Sequence, residues 1–322
     1  MIGQKDTFLV RVVHRTLEAE DIVSFELESI EGEVLPRFEP GAHVDIHAPG
    51  GFVRQYSLCN SASGSGRYMV AILRDPSSRG GSVAMHNKVN VGDVLQISAP
   101  RNHFPLHPEG HSLLFAGGIG LTPMLCMADE LHRQGRPFTL NYCARSRSRM
   151  AFYDAISQSA WFDKVNFYFD DCVEERIFDI ASLLDAASPD THLYICGPQG
   201  YMNAVLEKAR SSGWSNERLH YEYFKAEVLH KSTDAAFEVQ IASTGSVLAI
   251  PADKSIAAVL NEHGFNVSLS CEQGICGTCV TKVLSGVPDH RDSYLLENER
   301  EANDQMTLCC SRSKSPQLII DL

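Results

Sequence analysis

The chain has 322 residues, 44% hydrophobic and 21% charged, which suffices for two or three domains with cores of their own and excludes a disordered tail. Twenty-eight Lys plus Arg against 40 Asp plus Glu leave a formal charge of −12, a field that repels phosphodiester backbones and anionic lipid surfaces, so neither nucleic acid nor membrane is an expected partner. Residues 1–7 lack a basic stretch followed by an apolar run, and no window offers the roughly eighteen uninterrupted apolar residues of a membrane span, so a cytoplasmic location is expected.

Between Phe8 and Phe104, short apolar runs (residues 8–13, 22–27, 42–46, 68–73 and 94–97) are split by turn signals such as Pro40-Gly41 and Val91-Gly92-Asp93. This predicts an antiparallel barrel or sandwich over residues 1–107. Arg54-Gln55-Tyr56-Ser57 ends one strand with Arg54 and Tyr56 on the same face. A guanidinium can pair with a terminal phosphate, a phenol can flank a ribityl chain, and a hydroxyl or amide can reach an isoalloxazine edge. That set suits flavin mononucleotide; an ordinary barrel strand is the plain alternative. Arg79-Gly80-Gly81-Ser82 then offers a cation, free amides and a hydroxyl where a helix should begin, as phosphate binding demands.

From Ser112, strand-like runs (113–116, 138–142, 165–169 and 192–195) alternate with helix-length stretches, which predicts right-handed βαβ crossovers and a parallel sheet over residues 108–226. Gly117-Gly118-Ile119-Gly120-Leu121-Thr122-Pro123 joins the first of these strands to a helix whose buried stripe is Met124, Met127, Ala128 and Leu131. It departs from the Gly-x-Gly-x-x-Gly fingerprint but still brings backbone to a pyrophosphate. Cys196-Gly197-Pro198 repeats the strand-to-helix turn, so the two turns predict one cleft; Cys196 by itself reads equally as a packing thiol.

Residues 227–235 are polar and read as a linker. The last domain, residues 236–322, opens with Phe237, Val239 and Ile241 on one face, turns at 243–246, returns through 247–250, and continues as a helix from Ser255 to about His263. Here the cysteines crowd. Cys271-x4-Cys276-x2-Cys279, followed after twenty-nine residues by Cys309, is the plant-type [2Fe–2S] spacing, with Gly274 and Gly277 letting the loop wrap its sulfides. A four-thiolate zinc site or a coincidence of buried thiols is the alternative. Cys310 competes for the fourth position; the spacing favours Cys309 and leaves Cys310 a core thiol. His43, His47 and His290 read as surface or strand polar residues, not ligands.

Together, Arg54-x-Tyr56-Ser57, the Gly117–Pro123 turn, Cys196-Gly197-Pro198 and the cysteine motif resemble the ferredoxin-NADP reductase superfamily. Their order is similar to that of the phthalate dioxygenase reductase family over essentially the whole chain, with Asp289-His290-Arg291-Asp292 and Cys309-Cys310-Ser311-Arg312 adding to the likeness. The resemblance implies a multidomain α/β and β protein: a six-stranded antiparallel flavin-binding β-barrel, a parallel-sheet nucleotide-binding domain and a β-grasp ferredoxin domain. It implies FMN instead of FAD, held by Arg54, Gln55, Tyr56, Ser57, Ala71, Ile72, Leu73 and Thr122, with Arg79, Gly80, Gly81 and Ser82 at the phosphate. For NAD it implies Gly117, Gly118, Gly120, Thr122, Arg145, Cys196, Gly197 and Pro198. The cluster ligands are then Cys271, Cys276, Cys279 and Cys309, and Phe224 covers the flavin near the nicotinamide, with core packing as its alternative.

NADH is the coenzyme that the family implies, yet the loop Arg145-Ser146-Arg147-Ser148-Arg149 is basic enough to accept the 2′-phosphate of NADPH, or is merely a solvated loop. A nicotinamide gives two electrons and a cluster takes one, so a flavin must stand between them; no general base is required. The implied partner is a Rieske-type aromatic-ring dioxygenase, because this chain lacks Cys-x-His pairs for a Rieske centre of its own. Alternatives are a reductase for another terminal monooxygenase and a non-turnover redox sensor. A monomer is expected. From residue 236 onward eleven acidic residues face six Lys or Arg, a net of −5 that either steers docking to a basic patch or serves solubility.

Overall fold

Apolar residues at every second position build the core face of the first sheet. In β1 (Thr7–Ala19) Val10 and Val12 are fully buried while Leu9 and Arg11 face solvent, and in β5 (Tyr68–Leu73) Tyr68, Val70 and Ile72 all point inward. With β2 (Ile22–Ser29), β3 (Ala42–Ala48), β4 (Phe52–Ser57) and β6 (Val94–Ser98) they form antiparallel ladders in the order β4-β3-β6-β1-β2-β5, with the short β7 (Arg101–Asn102) on β3. A bridge between Leu58 and Val70 joins the two ends, closing the six-stranded barrel. Phe25, Leu27, Val44, Ile46, Leu58 and Ile97 fill it without exposure, each contributing about 1.5–3 kcal/mol of burial. Helix α1 (Gly81–Lys88) packs on β5, where His86 Nε2 meets the Ile72 carbonyl at 2.8 Å.

The structure is a computed structural model that describes residues 7–30, 32, 34–64, 66–75, 80–171, 178–224, 234–269, 271–275, 277–295 and 297–322. Arg79, Cys172, Cys276 and residues 225–233, which include 227–233 of the expected linker, lie outside them. The chain divides into two units, residues 1–222 and 223–322.

The first unit also holds the nucleotide sheet. Strands β8 (Ser112–Gly117), β9 (Phe138–Ala144), β10 (Val165–Phe169), β11 (His192–Cys196) and β12 (Leu219–Glu222) are all parallel, in the order β10-β9-β8-β11-β12. β8 is buried at every residue, as a central strand covered on both faces must be. The order reverses beside β8, and its crossovers are α2 (Leu121–Arg133), α3 (Tyr153–Ser157), α4 (Ile180–Asp185) and α5 (Gln199–Ser211). In α2, Met124, Met127, Ala128 and Leu131 are fully buried, the stripe the periodicity predicts. Among the described residues no helix is long and apolar enough to cross a membrane.

In the second unit β13 (Phe237–Ile241) and β14 (Val247–Ile250) form the expected hairpin, and α6 (Ile256–Glu262) follows with Ser255 as its N-cap, the hydroxyl accepting from the Ala258 amide at 3.1 Å. β15 (Val280–Ser285), β16 (Pro288–Asp289), α7 (Glu297–Ala302), β17 (Gln305–Thr307), β18 (Arg312–Ser313) and β19 (Gln317–Ile320) complete it. The sheet order β14-β13-β19-β15-β17 pairs β13 with β19 in parallel, with Ile256, Val259 and Leu260 of α6 in the core: the β-grasp arrangement. Asp234 is anchored to this unit by a two-pronged bond from Arg291, at 2.6 and 2.8 Å.

Candidate functional site

The two barrel motifs expected to bind a phosphate lie side by side. A Cβ at Gly81, in the first turn of α1, would stand 2.8 Å from Arg54 Cγ and 3.0 Å from its Nε, so the arginine lies directly across the helix start. Gly80 holds a left-handed φ of 103° against the Phe52 ring, over which the Arg54 guanidinium stacks at 5.4 Å. Ser82 Oγ accepts from the Asp75 amide at 3.2 Å and so braces this turn. A cation, open helix amides and a glycine floor fit a phosphate group. Tyr56 is largely buried, which pushes its phenol up against the opposing charge of Arg54, while Ser57 is buried at the strand end. Ala71 and Ile72 are buried and Leu73 half-buried on β5, which packs against the turn at Gly118–Gly120.

The two glycine turns of the nucleotide sheet also converge. A Cβ at Gly117 would meet Pro198 Cδ at 2.9 Å, one at Gly197 would meet the Gly117 Cα at 3.0 Å, and one at Gly120 would collide with the Cys196 carbonyl. Only glycine lets the ends of β8 and β11 approach this closely, at the point where the strand order reverses. Thr122 is buried, its hydroxyl donating to the Ile119 carbonyl at 3.1 Å. Cys196 is fully buried, and burial together with the neighbouring Glu222 carboxylate holds its thiol far above the ordinary range.

Sequence reasoning missed Glu222. It ends β12, in register with Cys196, and reaches the barrel, where the Ser57 hydroxyl hydrogen-bonds its carboxylate and His43 Nδ1 lies 3.8 Å from Oε1. Burial pushes the acid up to about 8. The signal available was weak: a lone acidic residue in Tyr221-Glu222-Tyr223-Phe224. His43 is a strand residue as read, but it is 4% exposed, not superficial; His47 is exposed. His290 is also buried, with neither ring nitrogen hydrogen-bonded, so the surface reading of it is corrected too. Phe224, two residues past β12, is half-buried.

The basic loop after β9 is mostly committed elsewhere. Arg149 bonds Glu20 at 2.5 Å, and Arg147 stacks 3.7 Å over Tyr153 and stands 3.9 Å from Asp154; Arg145 is exposed. Asp170 and Asp171 are exposed at the neighbouring end of β10, the Asp170 amide donating to the Ala144 carbonyl at 3.2 Å. A 2′-phosphate at this loop would therefore meet exposed Arg145 with the carboxylates of Asp170 and Asp171 at the neighbouring strand end.

In the second unit Cys271, Cys279, Cys309 and Cys310 are buried together. Cys309 hydrogen-bonds Cys271, Cys279 and Cys310, which raises its own thiol, since an anion there would face three sulfurs. Such crowding fits ferric iron, whose charge turns repulsion between thiolates into attraction. Among the described residues no three donors converge on one ion; a two-iron cluster divides its four thiolates two to each iron. The Gln273 amide donates to Cys271 Sγ at 3.4 Å. Gly274 and Gly277 both hold φ 71°, and side chains there would run into Cys310 and Tyr294. Cys310 belongs to the buried core of this unit, contacts Thr307 Oγ1 at 3.2 Å and also borders the loop at Gly274.

Residues 239–314 match the family of 2Fe-2S iron-sulfur cluster binding domains. The chain is 38% identical to phthalate dioxygenase reductase of Burkholderia cepacia over 99% of both chains. It belongs to the phthalate dioxygenase reductase family. The solved structure of a phthalate dioxygenase reductase, described as modular for electron transfer from pyridine nucleotides to [2Fe-2S], matches at a TM-score of 0.77 and 37% identity over 98% of each chain. Within the family, vanillate O-demethylase oxidoreductase of Pseudomonas sp. (strain HR199 / DSM 7063) is 51% identical over 95% of this chain and 97% of its own. The chain is an oxidoreductase that carries electrons for an oxygenase, using NADH, FMN and a [2Fe–2S] cluster.

Proposed function

We propose that this reductase serves a Rieske-type oxygenase acting on a methoxylated aromatic acid, as a monomer in the cytoplasm. The observation that carries the reading is the near-full-length identity of 51% to a vanillate O-demethylase oxidoreductase. The bound flavin converts the coenzyme's electron pair into single electrons for the cluster. In this reading Arg54, Gly80, Gly81, Ser82 and Arg79 hold the FMN phosphate, Gln55, Tyr56, Ser57, Ala71, Ile72 and Leu73 line its ring and ribityl chain, and Thr122 and Phe224 flank it. Gly117, Gly118, Gly120, Cys196, Gly197 and Pro198 receive the nicotinamide nucleotide, with Arg145 near its ribose. Asp170 and Asp171 support NADH, since carboxylates accept from a ribose diol and repel a phosphate. Cys271, Cys276, Cys279 and Cys309 hold the cluster.

The test mixes the purified reductase anaerobically with NADH, then supplies a vanillate O-demethylase oxygenase, vanillate and oxygen. The expected outcome is flavin bleaching, cluster reduction and formaldehyde released in step with NADH consumed. Electrons that reach cytochrome c but yield no formaldehyde with that oxygenase would reject the acceptor and leave the reductase chemistry standing.

A further inference from the structure

The turn between β1 and β2 touches more than its own hairpin. Glu20 and Asp21 close it in two residues, with Ala19 paired directly to Ile22, and Asp21 carries a left-handed φ of 61°. Outward, the turn meets the loop that follows β9. The Glu20 amide donates to the Ser148 carbonyl at 2.8 Å, Arg149 Nη2 donates to Glu20 Oε1 at 2.5 Å, Ser148 Oγ donates to Glu20 Oε2 at 3.5 Å, and Arg149 Nη2 also stands 3.9 Å from Asp21 Oδ2. Inward, the Asp21 carbonyl accepts from the amide of Arg74, one residue past β5, at 2.7 Å, and the next amide, that of Asp75, donates to Ser82 Oγ at 3.2 Å. An exposed ion pair alone holds weakly. Here the pair belongs to a network that includes a backbone hydrogen bond, so each contact restricts the others.

These contacts bridge two places that the reductase reading, on which this inference rests, gives to different cofactors. The loop at 145–149 hangs from the carboxyl end of β9, between the turn that follows β8 and the carboxylates that follow β10, which is where a coenzyme lies on a parallel sheet. β5 ends in Ile72 and Leu73, which line the flavin in that reading, and Ser82 stands at its phosphate turn. We infer that Glu20 and Arg149 are positioning residues for hydride transfer, their pair holding the coenzyme side of the cleft in register with the flavin-lining strand. The step moves one hydride, a proton with two electrons, from NADH to the oxidised flavin and leaves NAD⁺ and reduced flavin. Glu20 and Arg149 supply neither proton nor electron; they act through the turn and the loop that they join. Transfer falls off steeply with misalignment, an error of ~1 Å costing up to about 10²-fold. Loss of the pair therefore slows the step and leaves NADH affinity nearly as it was, because the glycine turns and Arg145 that receive the coenzyme are untouched.

The experiment uses the holoenzyme carrying Glu20→Arg, Arg149→Glu, both reversals together, or the milder Glu20→Gln. Before any coenzyme is added, hydrogen exchange at the Glu20 amide reports whether the turn is pinned to Ser148. It should quicken ~tenfold in each single reversal and return towards the native rate when both are present. Anaerobic mixing with saturating NADH should show flavin bleaching slowed ~tenfold in the single reversals, by a smaller factor in Glu20→Gln, and restored to within about threefold of native in the double reversal. The NADH dissociation constant should stay within about threefold throughout, and NADH deuterated at the transferred position should give a larger isotope effect in the slow variants. Bleaching at saturating NADH that is unchanged in both single reversals, a loss confined to NADH affinity, or a double reversal as slow as its parents would overturn the inference and leave the reductase reading standing. Native protein that NADH does not bleach would bring down the reductase reading itself, and amide exchange would still decide whether Glu20 and Arg149 pin the turn.

Discussion

The cluster loop and the flavin pocket achieve proximity by opposite means. Cys271 and Cys279 lie within nine residues of chain, and the loop around them is written locally, in two glycines at φ 71° with no room for a side chain. Ser57, His43, Cys196 and Glu222 come from four strands of two sheets, separated by up to 179 positions, and no local turn brings them together. A local site tolerates much around it and fails at its own letters; a distributed site depends on how sheets meet. The two therefore respond differently to substitution.

The largest expected effect breaks the local side. Cys309→Ser should abolish the visible cluster spectrum and electron delivery while NADH still bleaches the flavin, whereas Cys310→Ser should keep the cluster; loss of it in Cys310→Ser alone would reverse the ligand choice. Next comes the meeting of the two nucleotide turns. Gly120→Ala drives a methyl into the Cys196 carbonyl, and backbone cannot swing aside as a long side chain can. The expected cost is about 3 kcal/mol, read as a lower melting temperature of the first unit together with weakened NADH binding and an intact cluster spectrum. An unaltered NADH affinity would mean that the turns do not form one site.

The smallest effect sharpens the distributed side through pH. Glu222 is raised from an ordinary 4.5 to about 8, so the folded state binds the extra proton between those values, and stability falls as pH rises through that window. At the amino ends of the same two strands, His220 is depressed to about 4 by burial and by His192 and His107, which costs stability as pH falls from 6.5 towards 4. Glu222→Gln should therefore flatten the alkaline limb of a melting-temperature profile by about 2 kcal/mol at pH 9, and His220→Asn the acid limb by about 1–2 kcal/mol at pH 4. Limbs that keep their slopes in these variants would place the titrations elsewhere.

Much of this was readable in the letters. The runs that became β1, β2, β3, β5 and β6 alternate with a period of two, α2 carries its stripe at Met124, Met127, Ala128 and Leu131, and Ser255 caps α6 at its expected start. Arg54 and Gly81 belong to separate motifs, both expected to bind a phosphate, and the structure places them side by side. Glu222 and His43 escaped because a single acid or a single histidine has no spacing to betray it. Arg147 and Arg149 misled in the other direction: their charge is plain in sequence, but their commitment to Tyr153, Asp154 and Glu20 is not.

From the amino-acid order alone come the barrel, the parallel sheet, the hairpin-and-helix ferredoxin unit and the four-thiolate motif, because periodicity and short-range turns act over a few residues. Which acid is buried beside Ser57, which arginines are committed to partners, and which glycines cannot carry a methyl were decided by tertiary structure. Those properties depend on burial and on atoms from distant strands brought within a few ångströms, and neither exists until the sheets have packed.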